Sequence, residues 1–265
     1  MLLEKFNPEL RMLLDMNEFI HYSPEKEYAE YHSAHIDLVK QYALILNHRL
    51  GFRLSDHKLA YIAYAHDLLK EHGLNESLDR KYHEHPIPEN PILYVRNNLD
   101  ILEDYGMDDY FNSATQYHAL AAAIFLIKEL HVRDPEIIYP VMFHSCPIIP
   151  VYETLTPTIQ KYVDITMLSD KLSSNYLRIN WRETPTLYDL EKAVFGENGN
   201  ELNYTLGLYL AKLIGDKDDE EGKKALEYYA DRLTRIMPWI NTKKIASGGA
   251  KKWPKRKSLL LRTPY

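Results

Sequence analysis

His66 and Asp67 stand side by side in the segment Leu59 to Lys70, and four more residues of ligating type are spaced around them: His35, His118, His144 and Asp170. Adjacent residues on a helix point about 100° apart, so a neighbouring imidazole and carboxylate reach one ion together only if other elements complete its shell. Taken singly, each histidine reads as a hydrogen-bonded core residue and each aspartate as a cap or an ion-pair partner. In series they form a set of imidazole nitrogens and hard carboxylate oxygens, suited to Fe, Mn, Zn or Ni and unlike a thiolate site. Asp67 has Ala63, Ala65 and Leu68 as neighbours, and Asp170 has Met167, Leu168 and Leu172. A carboxylate buried in such surroundings requires a compensating charge, which a metal ion supplies.

The order of these residues also matches a known pattern. His35-Ile36-Asp37-Leu38-Val39 stands for a first histidine helix, Ala65-His66-Asp67-Leu68-Leu69-Lys70 for an HD motif with its trailing lysine, and His118-Ala119 for the start of the next helix. Phe143-His144-Ser145 supplies a late histidine and Ser169-Asp170-Lys171 a closing aspartate. From Tyr31 to Arg178, a little over half its length, the chain resembles the HD-domain metal-dependent phosphohydrolases, most of all the bacterial symmetrical diadenosine tetraphosphate hydrolases.

That resemblance implies an all-α HD-domain helical bundle with two divalent or mixed-valence transition metal ions, Fe foremost and Mn, Ni or Zn as alternatives. His35, His66, Asp67 and Asp170 would hold the first ion, His118 and His144 the second, with Asp67 bridging. The implied reaction is attack of an activated water on a nucleotide phosphoanhydride or phosphoester, most simply a dinucleoside tetraphosphate giving two nucleoside diphosphates. Lys70, at i+4 from His66, would share its helix face and bind a phosphate oxygen; otherwise it is a surface lysine. Arg178 is a weaker phosphate ligand. In the symmetrical hydrolases a Glu-Pro and an arginine follow the closing aspartate, whereas here Lys171-Leu172-Ser173-Ser174 follow, so the substrate pocket is expected to differ. Two alternatives stand beside this reading: a nucleotidase, dNTPase or phosphodiesterase acting on another nucleotide or a nucleic-acid end, and a non-catalytic nucleotide-binding regulator. The 21 tyrosines would suit base stacking, although at helical spacing most belong to the core.

The elements that must position these residues read almost wholly as helices. Asn7-Pro8 opens an amphipathic stretch with Leu10, Leu13, Leu14 and Met16; Tyr28 to Leu50 follows and stops at Gly51; Ser55 caps a helix expected to run through Lys70 to Glu71. Residues 74–91 read as a long loop over the site, carrying His83 and His85. Further helices are expected from Asn90-Pro91 to about Tyr105, Ala114 to Leu130 with Ser113 as cap, Pro135 to His144, Pro157 to about Ile179, Leu187 to Val194, Leu202 to Ile214 and Glu220 to Ile236, with no strand. The organisation expected is an N-terminal helix in 1–30, the HD domain in 31–182, a helical extension in 183–240 and a basic flexible tail in 241–265.

Charge is uneven. Eight Lys or Arg and no acid lie in 241–265, so a net −6 overall leaves −14 on the preceding 240 residues. The tail suits contact with nucleic acid or another polyanion, or else it is a flexible terminus kept soluble by its lysines, or one folded back on the acidic body. One cysteine, Cys146, excludes an intrachain disulfide, and no apolar run of about 18 residues or secretory leader is present. The expectation is a cytoplasmic protein with no membrane partner, a nucleotide as ligand and a homodimer left open.

Overall fold

Asn7 begins the first helix by accepting hydrogen bonds from the backbone N–H groups of Glu9 and Leu10, and Pro8 takes the first helical position, where its missing N–H costs nothing. This helix, α1 (Pro8–Ile20), buries Leu10, Leu13, Met16 and Ile20 on one face. In the computed structural model, residues 7–21, 26–70, 81–88, 90–107, 117–146, 149, 151–180 and 184–196 are described, with helical positions at Leu202, Thr205, Lys224, Glu227, Asp231 and Arg232 beyond them. The protein is mostly helical, and one two-stranded hairpin is the sole sheet among the described residues.

α2 (Lys26–Leu50) stops at Gly51, whose φ of 65° is the left-handed conformation that glycine enters without steric cost. Ser55 caps α3 (Asp56–Ala65), which is buried from Leu59 to its end and packs on both α1 and α2. Asn90 caps α4 (Pro91–Arg96), and α5 (Asp100–Glu103) follows. α6 (Tyr117–Lys128) is buried without a break from Ala119 to Ile127, as a helix enclosed on every side must be; α4, α5 and α7 (Pro135–Phe143) pack around it. α8 (Pro157–Asn180) carries Tyr162, whose hydroxyl accepts the Ser55 N–H at 2.9 Å and so ties α8 to the start of α3.

The structure corrects three expectations. The helix from Ser55 stops at Ala65, and His66 to Leu69 form tight turns. The helix expected from Asn90 to Tyr105 splits into α4 and α5, because the Asn98 amide takes the Tyr94 carbonyl at 2.7 Å, a bond that a continuing helix would give to a backbone N–H. Residues 81–86, expected as loop, form a hairpin of β1 (Lys81–Tyr82) and β2 (His85–Pro86) around a two-residue turn, with His83 at a φ of 53°. Its Tyr82 ring meets Phe19 of α1 edge-on at 5.4 Å. His83 is exposed and His85 half-buried. Residues 71–80, the predicted Ser113 cap, and the tail 241–265 lie outside the described residues.

The chain divides into two compact units, Met1–Asp170 and Lys171–Tyr265, and the division falls within α8. In the second unit, α9 (Leu187–Phe195) opens with a capping box between Thr186 and Asp189 and buries Leu190 and Val194. No described helix is long and apolar enough to cross a membrane.

Candidate metal centre

Five elements bring ligating side chains to one point. α2 brings His35, the turn after α3 brings His66 and Asp67, the first turn of α6 brings His118, the end of α7 brings His144, and α8 brings Asp170. Contacts of α3 with α2 and α7, and of α6 with α7, hold these elements together. His35, His66, Asp67, His144 and Asp170 are all buried.

Asp67 is the centre of the arrangement. Its Oδ2 lies 3.4 Å from Nε2 of His35 and 3.7 Å from Nε2 of His66, and it also meets Lys70 Nζ. Its Oδ1 lies 3.4 Å from Nε2 of His118 and 3.4 Å from Nε2 of His144. One carboxylate therefore turns each oxygen toward a different imidazole pair. Asp170 adds Oδ1 at 3.3 Å from His35 Nε2, while His35 and His66 stand 3.3 Å apart at Nε2, and His118 and His144 3.1 Å.

Local backbone geometry fixes two of the rings. His66 Nδ1 lies 2.7 Å from the Ala63 carbonyl and His144 Nδ1 lies 2.8 Å from that of Val141. A carbonyl only accepts, so each Nδ1 carries the proton and each Nε2 keeps a lone pair. Both lone pairs are aimed at Asp67, the tautomer and orientation that metal-binding histidines require. Asp67 Oδ1, although buried, accepts no hydrogen bond. A buried carboxylate oxygen without a donor, faced by imidazole lone pairs, is the environment a cation completes. Two overlapping groups, His35/His66/Asp170 and His66/Asp67/His144, have ligand atoms within 4.8 Å of one another and can each hold a metal ion.

Electrostatics favour the ligating forms of His66, His118 and Asp67. Burial pushes His66 down to about 3, with His144 and His35 adding to the effect and Asp67 opposing it. Burial likewise takes His118 to about 3. For Asp67 burial acts the other way, yet the Lys70 ammonium beside it, first among the lowering influences, holds its carboxyl well below the usual range. His35 is the exception: burial lowers it, but Asp170 and Asp67 outweigh burial and raise it above its ordinary value, so an ion bound there would displace a proton.

All six ligands read from the sequence thus converge. Lys70 reaches Asp67 as an i,i+3 partner, a correction to the i+4 helical geometry with His66, since no helix continues past Ala65. Arg178 lies exposed in the last turn of α8, in the second unit. Sequence reasoning missed three buried polar residues beside the centre: Asn17, His21 and His32. Two signals were present, an asparagine on the apolar face of α1 and a histidine one turn before His35. Comparison with protein-family models, curated proteins and solved structures finds no match to this chain.

Proposed function

We propose that this chain is an HD-type metal-dependent phosphohydrolase acting on a nucleotide, with a dinucleoside tetraphosphate as the leading substrate and two nucleoside diphosphates as its products. The observation that supports it best is the division of Asp67, one oxygen toward His35 and His66 and the other toward His118 and His144. When bound, a pair of transition metal ions, Fe or one of Mn, Ni and Zn, acidifies a water and neutralises charge that builds on phosphoryl oxygens.

The chain's own residues supply position and charge. His66 and His144, clamped through Nδ1 by backbone carbonyls, present Nε2 in fixed directions. Asp67 and Asp170 bring two negative charges against that cluster, so the centre tolerates cations without a large excess of positive charge. Lys70 is 36% exposed and His118 19%, against 1% for Asp67 and His144, so the site opens toward solvent on their side. There the Lys70 ammonium, which meets Asp67, would donate to a phosphate oxygen.

Metal-reconstituted protein should be assayed against diadenosine tetraphosphate, nucleoside mono- and triphosphates and a cyclic dinucleotide, with products separated chromatographically. ADP as sole product of the tetraphosphate is the expected result. Turnover of another member alone would keep the chemistry and replace the substrate; metal-loaded protein that binds nucleotides and turns over none would overturn the enzyme reading.

A further inference from the structure

The turn that presents His66 and Asp67 exists because its carbonyls find partners other than a continuing helix. Where α3 ends, the Ile62 carbonyl accepts the His66 N–H at 2.9 Å, and the Ala63 carbonyl accepts His66 Nδ1–H at 2.7 Å. In an unbroken helix the Tyr64 carbonyl would accept the Leu68 N–H. Here Leu68 N–H goes to Ala65 at 3.2 Å, and the Tyr64 carbonyl instead accepts the Asn17 side-chain amide at 2.7 Å. Three residues past the HD pair, the Lys70 N–H closes on the Asp67 carbonyl at 3.1 Å, and the Leu68 carbonyl accepts His21 Nε2–H at 3.1 Å. Both foreign donors come from one helix end, that of α1.

A third residue fixes this pair. His32, on α2 one turn before His35, donates Nε2–H to Asn17 Oδ1 at 2.9 Å, which orients the amide so that its nitrogen faces Tyr64 and Leu13. The rings of His21 and His32 lie against each other with centroids 3.7 Å apart. All three side chains are buried, so every one of these bonds is made out of reach of competing water.

We propose that Asn17, His21 and His32 are positioning residues of the metal centre: by taking up the carbonyls of Tyr64 and Leu68 they hold residues 64–68 in the broken-helix turn in which His66 and Asp67 face the same ions. This rests on the metal reading above. Loss of the Asn17 amide frees the Tyr64 carbonyl to recover the Leu68 N–H, which would wind Asp67 toward the helical direction, about 100° from His66.

The test uses the full metal-free chain titrated with Co²⁺, followed by calorimetry and by the visible absorption of the bound ion, which reports ligand geometry. Asn17→Leu and His21→Leu should bind Co²⁺ about 10- to 100-fold more weakly, as loss of outer-sphere support does in other metal sites, and with an altered absorption envelope. His21→Gln, whose amide nitrogen can replace Nε2–H, should restore affinity and spectrum. Leucine variants that are folded by circular dichroism and match the wild type in both readouts would overturn the proposal, as would failure of His21→Gln to recover when it melts like the wild type. Should Asn17→Leu not fold, the His21 leucine and glutamine pair decides alone. Absence of Co²⁺ binding by the wild type would remove the metal reading and this role with it, an outcome distinct from a wild type that binds and variants that bind equally well.

Discussion

At the scale of single residues, Asp67 does what no imidazole of the cluster can, since a carboxylate offers two oxygens, and it turns one toward His35 and His66 and the other toward His118 and His144. Asp67→Ala should therefore abolish both metal retention and hydrolysis while leaving far-ultraviolet dichroism nearly unchanged, because the deleted group supports an ion and not a helix interior. Retained hydrolysis in that variant would contradict the bridging role. The six converging residues were legible in the sequence because donor type and order survive in one dimension. Asn17, His21 and His32 were not, because their partners Tyr64 and Leu68 lie 47 residues from Asn17 and His21, and nothing local marks a hydrogen bond across that distance.

Among the elements, what was legible is what the backbone announces with its own neighbours: the Asn7, Ser55, Asn90 and Asp134 caps, the prolines that follow three of them, and the glycine after α2. What was not legible is where a side chain competes for a helical carbonyl, as Asn98 does within 90–105 and as His66 and Asn17 do after α3. Those breaks carry the consequence, since the second of them makes the HD pair usable. α6 offers a test of the packing that presents His118. Ala119, Ala121, Ala122 and Ala123 are wholly buried, and these small side chains let the surrounding helices approach α6 closely. Ala122→Leu should overpack this region and cost about 1–3 kcal/mol, read as a lower midpoint in urea at an unchanged slope. An unchanged midpoint would mean that α6 has slack the structure does not show.

For the molecule as a whole, buried neutral histidines make stability depend on pH. Burial pushes His21 down to about 4, against an ordinary value near 6.5. Between those values the unfolded chain takes up a proton at His21 that the folded chain refuses, so stability is complete above about pH 6.5 and falls as pH drops toward 4. At roughly 1.4 kcal/mol per pH unit this amounts to about 3 kcal/mol. Urea unfolding of the wild type and of His21→Gln across that range should show a slope smaller by about one proton in the variant; equal slopes would mean that His21 titrates alike in both states. The basic tail belongs to this scale too. If it serves a polyanion or solubility, removal of residues 241–265 should leave small-nucleotide hydrolysis unchanged, and a large loss would tie the tail to the site.

The most direct test of the metal centre is elemental analysis of the purified full chain after anaerobic reconstitution with ferrous iron and gel filtration. The division of Asp67 between the His35/His66 and His118/His144 pairs predicts about two ions per chain. A chain that comes through with no bound metal, iron or otherwise, would contradict the centre itself.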